Sequence, residues 1–103
     1  MKTTVLNSDL KIGIVDDDNL FTIMTEKELF QRDFTQFKSY TSGEEYFSDA
    51  SSDLDILILD YHLDSINAQA MDGLEILKRI KKNNPNTKVL MMSGDDDVKV
   101  AQD

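Results

Sequence analysis

Leu10-Lys11-Ile12-Gly13-Ile14-Val15-Asp16-Asp17-Asp18 decides the fold: a short apolar run rich in Ile and Val ends abruptly in three carboxylates. A run of this length without polar alternation suits a strand of a parallel sheet, buried on both faces. Leu54-Asp55-Ile56-Leu57-Ile58-Leu59, followed by Asp60, repeats the design, and Lys88-Val89-Leu90-Met91-Met92, followed by Ser93-Gly94, is a third example. Gln36 to Tyr40 alternates polar and aromatic residues, as a strand with one wetter face near a sheet edge would.

Helical patterns separate these runs. Asp72 stands where it can cap a helix, with Glu75 as the partner in a capping box; Leu74, Leu77 and Ile80 recur every third residue and Ile76 joins Ile80 at i+4. Lys78, Arg79, Lys81 and Lys82 crowd its far end, where the helix dipole favours cations, and Asn83-Asn84-Pro85 stops it. Asn19 can cap a helix running to about Arg32, with Leu20, Ile23, Met24 and Phe30 expected on its buried side. Ser42 can open a short helix through Tyr46 and Phe47, and Asp95 to Asp103 reads as one more helix, cut short. Four strand–helix repeats call for right-handed crossovers and an α/β architecture, a doubly wound parallel sheet with helices on both faces.

Composition fits that architecture and narrows the function. At 103 residues, 40% hydrophobic and 30% charged, residues 1–103 are expected to form a single domain with one core. Eleven basic against twenty acidic residues leave a net charge of −9, which opposes direct binding to nucleic acid or to an anionic membrane. Zero cysteines exclude disulfides and thiolate chemistry. Met1 to Asn7 holds no apolar run long enough for a signal peptide or a membrane span, which makes the cytoplasm the expected location. Fifteen of the twenty acids are Asp, a residue suited to strand ends, caps and turns rather than helix interiors.

Ligands of open parallel sheets bind beyond the carboxyl ends of the strands, and here those ends carry Asp16-Asp17-Asp18, Asp60 and Ser93-Gly94. Carboxylates gathered within a few ångströms repel unless a cation or proton compensates them, so a hard divalent ion, Mg²⁺, is the expected occupant. Mg²⁺ takes one or two protein carboxylates and completes its shell with water and phosphate oxygens, which suits a site that holds a phosphoryl group beside an aspartate nucleophile. The Ser93 hydroxyl could then bond a phosphoryl oxygen, with Gly94 leaving it room.

Four segments in order, Ile12-Gly13-Ile14-Val15-Asp16-Asp17-Asp18-Asn19, Asp55 to Asp60, Met71-Asp72-Gly73-Leu74-Glu75 and Val89-Leu90-Met91-Met92-Ser93-Gly94, resemble the signatures of CheY-like response-regulator receiver domains, from about Lys11 to the last residue. The resemblance implies a flavodoxin-like sheet of strand order 2-1-3-4, and a two-component signalling domain that changes shape when phosphorylated. By resemblance Asp60 accepts a phosphoryl group from a histidine kinase or phosphotransfer protein. Asp17 is then a direct Mg²⁺ ligand, Asp16 acts through water or the outer shell, and the His62 backbone carbonyl completes the protein ligands. Ser93 is the switch hydroxyl. Such a domain is a phosphoacceptor that catalyses its own phosphorylation and dephosphorylation rather than a turnover enzyme.

The chain departs from that pattern in its long, proline-free stretch from Tyr61 to Ala70, and in stopping at Asp103. The family's fifth strand with its lysine, and its fifth helix, would lie beyond; the chain is thus expected to be a receiver cut short, with no residue assigned to the lysine's role. The bare Lys88–Met92 edge is then expected to promote self-association. Two other functions compete: a receiver-shaped interaction module that no longer transfers phosphate, and a haloacid-dehalogenase-like phosphohydrolase with Asp16 as nucleophile and Asp18 as acid/base, which leaves Asp60 idle. The His62 imidazole reads as a polar loop group, and Asp95-Asp96-Asp97 as solvated acids in a helix's first turn.

Overall fold

The computed structural model describes residues 5–49, 53–60, 72–92 and 98–100. One turn of 3₁₀ helix, Asn7–Asp9, leads into β1 (Lys11–Val15), α1 (Asn19–Gln31), β2 (Gln36–Tyr40), α2 (Gly43–Ser48), β3 (Ile56–Asp60), α3 (Gly73–Asn83), β4 (Lys88–Met92) and β5 (Val98–Val100). The strands form one sheet in the order β2-β1-β3-β4-β5. The first four are parallel, with β1 against β2 and β3, and β3 against β4, as the apolar runs predict.

Alternation along the strands sorts side chains between the two faces. Val15, Tyr40, Leu57, Leu59 and Val89 meet Tyr46 of α2 and Ile76 and Ile80 of α3 in the main core. Tyr46 stands edge-on to the rings of both Tyr40 and Phe47, at 5.4 and 4.9 Å, the arrangement the ring quadrupoles prefer. The opposite face carries α1. Beneath the sheet, at the amino ends of the strands, Asp55 clamps three of them: its amide donates to the Lys11 carbonyl at 2.9 Å, its Oδ2 accepts from the Lys11 amide at 2.8 Å and its carbonyl accepts from the Lys88 amide at 2.9 Å. The buried Thr87 hydroxyl adds a 2.7 Å bond to the Leu54 carbonyl.

The helix caps follow the sequence with one shift. Asp72 Oδ1 accepts from the Glu75 amide at 2.9 Å and Ser42 Oγ from the Glu45 amide at 3.1 Å, as expected. The cap of α1 is Asp18, one residue before Asn19, with Oδ1 accepting from the Leu20 and Phe21 amides. The carboxylate outcompetes the amide next to it because it accepts two backbone donors at the positive end of the dipole.

Three expectations are corrected. Val98–Val100 is a strand and not part of a helix spanning Asp95 to Asp103, and it pairs antiparallel with Leu90–Met92. Two β-branched residues flanking Lys99 favour extended backbone, and the unpaired groups of β4 supply the partner. The sheet therefore has a fifth strand, antiparallel where the family's would complete the parallel sheet, and the β4 edge is covered over Leu90–Met92 rather than bare. Secondly, Leu20, Ile23, Met24 and Phe30 lie on the solvent side of α1, 60–66% exposed, while Phe21, Thr25 and Leu29 are half-buried. Apolar residues run all round this helix, so periodicity alone could not choose the inner face. Thirdly, on α3 Leu74 is exposed, and Gly73, Ile76 and Ile80 form the buried stripe.

The carboxyl end of α1 closes in a Schellman turn: the Phe34 amide donates to the Leu29 carbonyl at 3.0 Å and the Asp33 amide to the Phe30 carbonyl at 3.1 Å. Asp33 sits at φ 70°, in the left-handed region that glycine adopts without steric cost. Replacing Asp33 by Gly should hold or raise unfolding free energy by up to about 1 kcal/mol, and Asp33→Val should lower it by at least about 1 kcal/mol. Urea denaturation of the two variants checks this; equal stabilities would show that the turn does not constrain the chain.

Candidate functional site

The register of the sheet builds the site. Val15 pairs with Leu59 in the parallel ladder between β1 and β3, so the next residue of each chain, Asp16 and Asp60, emerges side by side at the carboxyl edge. The Asp16 amide donates to the Tyr40 carbonyl at 3.0 Å, extending the β1–β2 ladder one residue further and holding Asp16 in the sheet's plane. Asp60 is itself the last residue of β3, opposite Met92 of β4.

Asp16, Asp17 and Asp60 each present a carboxylate oxygen within 4.8 Å of the other two. Their surroundings differ. Asp16 is 6% exposed, and its Oδ1 accepts from the Asp18 amide at 2.9 Å, a local Asx turn that aims the carboxylate. Asp17 and Asp60 are half-buried. Asp18 does not join the cluster; its carboxylate is turned to the cap of α1. The acidic run thus divides into a buried carboxylate aimed by the Asp18 amide, a half-buried carboxylate and a helix cap.

The electrostatics register the crowding. Burial pushes the Asp16 carboxyl up to about 6, the Asp18 amide works against that rise, and the charges of Asp60, Asp17 and Asp18 add to it. Three hard oxygen donors this close together, one of them a buried carboxyl made harder to ionise by its neighbours, are the donor set that a small divalent cation stabilises. The residues present therefore fit Mg²⁺, with the carboxylates of Asp16, Asp17 and Asp60 as the protein's share of its surroundings.

The two remaining sequence candidates, His62 and Ser93, lie outside the described residues, as do Gly94 and Asp95-Asp96-Asp97. Sequence reasoning missed the cap role of Asp18 and the bond from its amide to Asp16; the signal was two Asp residues spaced i, i+2 before a helix. It also passed over Asp55, whose three backbone-level contacts set the strands' starting points and hence their ends. Tyr40, behind the site, donates its hydroxyl to Asp49 Oδ2 at 2.6 Å, where Lys38 Nζ also binds at 2.6 Å; burial and the neighbouring carboxylate hold that hydroxyl firmly protonated.

Comparison with known proteins agrees with this geometry. The family model described as "Response regulator receiver domain" matches residues 12–103. Among solved structures, the response regulator DrrB of Thermotoga maritima, an OmpR/PhoB homolog, is 27% identical with a TM-score of 0.69, the match covering 82% of this chain and 35% of that one. The BeF3-activated DrrB receiver domain is 27% identical with a TM-score of 0.68, covering 82% and 65%. The N-terminal domain of an uncharacterized protein from Wolinella succinogenes is 28% identical with a TM-score of 0.68, covering 82% and 64%. The matched region is thus about a third of the DrrB chain and under two-thirds of its receiver-domain structure. Among curated proteins nothing matches. Among the described residues, no helix is long and apolar enough to cross a membrane.

A carboxyl that titrates near 6 in the fold and near 3.8 outside it binds more protons folded than unfolded between those values. Its ionisation therefore costs the fold up to about 3 kcal/mol, a penalty absent below about pH 4 and complete above about pH 6 to 7. Asp16→Asn keeps the oxygen that accepts from Asp18 and removes the charge, so the metal-free variant should melt above the wild type at neutral pH and level with it near pH 4. Mg²⁺ should raise the melting temperature of the wild type at neutral pH and much less at pH 5. A neutral-pH Asp16→Asn that melts lower would show that Asp16 is not carrying the electrostatic cost.

Proposed function

Because this chain belongs to the response regulator receiver domains, we propose that it receives a phosphoryl group on Asp60 from a histidine kinase or phosphotransfer protein and passes on the change in shape. The observation that carries the proposal is the convergence of Asp16, Asp17 and Asp60 within 4.8 Å at the carboxyl edge of a parallel sheet, where such sheets bind phosphorylated ligands.

In the transfer, a carboxylate oxygen of Asp60 forms a bond to phosphorus as the phosphorus–nitrogen bond of a phosphohistidine breaks. The bonding pair and a proton remain with the departing imidazole, and an acyl phosphate is left on Asp60. Mg²⁺, when bound, neutralises charge on the phosphoryl oxygens. Asp17 would serve as a direct ligand and Asp16 as an outer-shell group, aimed by the Asp18 amide. The His62 backbone carbonyl and the Ser93 hydroxyl keep the roles that resemblance to the family assigns them: a further oxygen ligand, and a donor to the phosphoryl group. Asp60 begins as the last residue of a strand paired on both sides, so the nucleophile is positioned by backbone pairing rather than by a loop.

The hydrolase reading is weakened by Asp18. That reading needs its carboxylate as an acid/base, and Oδ1 of Asp18 is taken by two backbone amides of α1. The interaction-module reading differs from the receiver only in chemistry, so phosphorylation separates all three.

Incubation with a small acyl phosphate and Mg²⁺, followed by intact mass measurement, should show one phosphoryl adduct on the wild type and none on Asp60→Asn. Asp16→Asn should form the adduct roughly 10–100-fold more slowly, the usual cost of losing an outer-shell partner. Multiple turnover that depends on Asp16 and survives Asp60→Asn would replace the receiver reading with the hydrolase. An unmodified wild type would favour the interaction module.

A further inference from the structure

The carboxylate of Asp18 stands outside the cluster formed by Asp16, Asp17 and Asp60, yet the residue is bonded on both sides of it. Its amide donates to Asp16 Oδ1 at 2.9 Å. Its own Oδ1 accepts from the Leu20 and Phe21 amides at 3.0 and 3.3 Å, and its carbonyl accepts from the Thr22 amide at 3.0 Å. The last three bonds tie Asp18 to the first turn of α1, a helix of 13 residues; the first reaches back to a buried carboxylate. Asp16 is fixed from the sheet as well, since its amide donates to the Tyr40 carbonyl at 3.0 Å. Asp17 lies between these two anchors. The peptide group that joins it to Asp18 is planar and stiff, so the plane that carries the Asp18 amide toward Asp16 also carries the Cα of Asp17.

We propose that Asp18 is a positioning residue for the cation site: by capping α1, its carboxylate fixes the peptide that aims Asp16 and carries Asp17, and thereby strengthens the binding of Mg²⁺. This rests on the cation site of the receiver reading and not on the fate of the phosphoryl group. The third acid of the run acquires a role that is neither ligand nor acid/base.

A hydrogen bond to an ionised carboxylate is strong, but it orders the carboxylate only where the donor is itself held. A loose loop amide would follow Asp16; an amide locked onto a capped helix makes Asp16 follow it. Such order matters for Mg²⁺, which demands near-ideal octahedral geometry, and groups that orient a metal's surroundings typically change its affinity by about 10–100-fold. The neighbouring Asn19 explains why the Asp18 side chain is needed for this. Asn is itself a good cap, one position later. Without the Asp18 carboxylate α1 can begin from Asn19, which leaves residue 18 outside the helix and its amide unheld. Helix content then hardly changes while the aim of the site is lost.

Asp18→Asn and Asp18→Ala remove the same charge, and only Asn keeps an oxygen to accept from Leu20 and Phe21. Calorimetric titration should show the Ala variant binding Mg²⁺ about 10-fold more weakly than the Asn variant, with similar far-UV circular dichroism. In the metal-free protein, the amide of residue 18 should exchange with deuterium faster in Asp18→Ala than in Asp18→Asn. Asp33→Val strains the opposite end of α1 and should leave the Mg²⁺ affinity unchanged. A loss there equal to that of Asp18→Ala would mean that general loosening of the helix is at work, and overturns the proposal. So do equal affinities in the Ala and Asn variants, and so does a wild type that binds no Mg²⁺ at millimolar concentration. The acyl-phosphate reaction separates this from the receiver reading. If the two variants bind Mg²⁺ alike and the wild type forms its adduct on Asp60, the positioning role falls and the receiver reading stands. If the variants differ as expected and the wild type forms no adduct, the positioning role stands and the receiver reading falls.

Discussion

The parallel register of β1 against β3 is the constraint on which the molecule's chemistry depends. Pairing Val15 with Leu59 brings Asp16 and Asp60 to the same edge, and a shift of one residue would turn one of them to the other face. That register is held from below by Asp55, which bonds the amino ends of β1 and β4 at once, and from above the sheet by a core in which Leu57, Leu59 and Val89 are fully buried against α3. Apolar packing thus bears the cost of bringing together carboxylates that repel each other. The repulsion favours a cation: three carboxylate oxygens held within 4.8 Å of one another are stabilised when a divalent ion compensates their charge.

The strands were legible in the sequence because buried parallel strands have little freedom of composition. Each of the three apolar runs, and the alternating segment Gln36–Tyr40, became a strand within a residue or two of its predicted ends, and the carboxylates that follow the first two runs, Asp16 and Asp60, had one place to go. The caps of α2 and α3 were legible for a similar reason: Ser42 and Asp72 each precede a backbone amide that needs an acceptor. Where several residues could satisfy one physical demand, the sequence was ambiguous. Asp18 and Asn19 are both good caps, and only the geometry after β1 selects the first. Leu20, Ile23, Met24 and Phe30 have the spacing of a buried stripe, but so do Phe21, Thr25 and Leu29, and the direction in which β1 delivers the chain chooses between them. Val98-Lys99-Val100 was misread as helix because its three residues carry almost no periodicity; its pairing with β4 is a tertiary outcome.

The same unevenness gives the fold two different faces. The side with α2 and α3 has interlocked aromatic and aliphatic side chains and a closed core. The side with α1 keeps a trough and an apolar helix surface next to it. The carboxylate cluster lies at the carboxyl edge of the sheet, just before α1 begins, so the first turn of this helix is close to the cluster. The chain from Asp16 to Asn19 runs directly from the buried carboxylate into the first turn of α1, a short path between the site and the surface.

The most direct measurement of the central claim is a carbon-13 titration of the Asp16 carboxyl with and without Mg²⁺. The midpoint should lie near 6 in the metal-free protein, fall by at least about one unit when Mg²⁺ is present, and fall also in Asp60→Asn, where one of the repelling charges is gone. A midpoint near the ordinary aspartate value that neither Mg²⁺ nor Asp60→Asn moves would mean that the three carboxylates do not share one electrostatic site, and the proposed phosphoacceptor chemistry would lose its foundation.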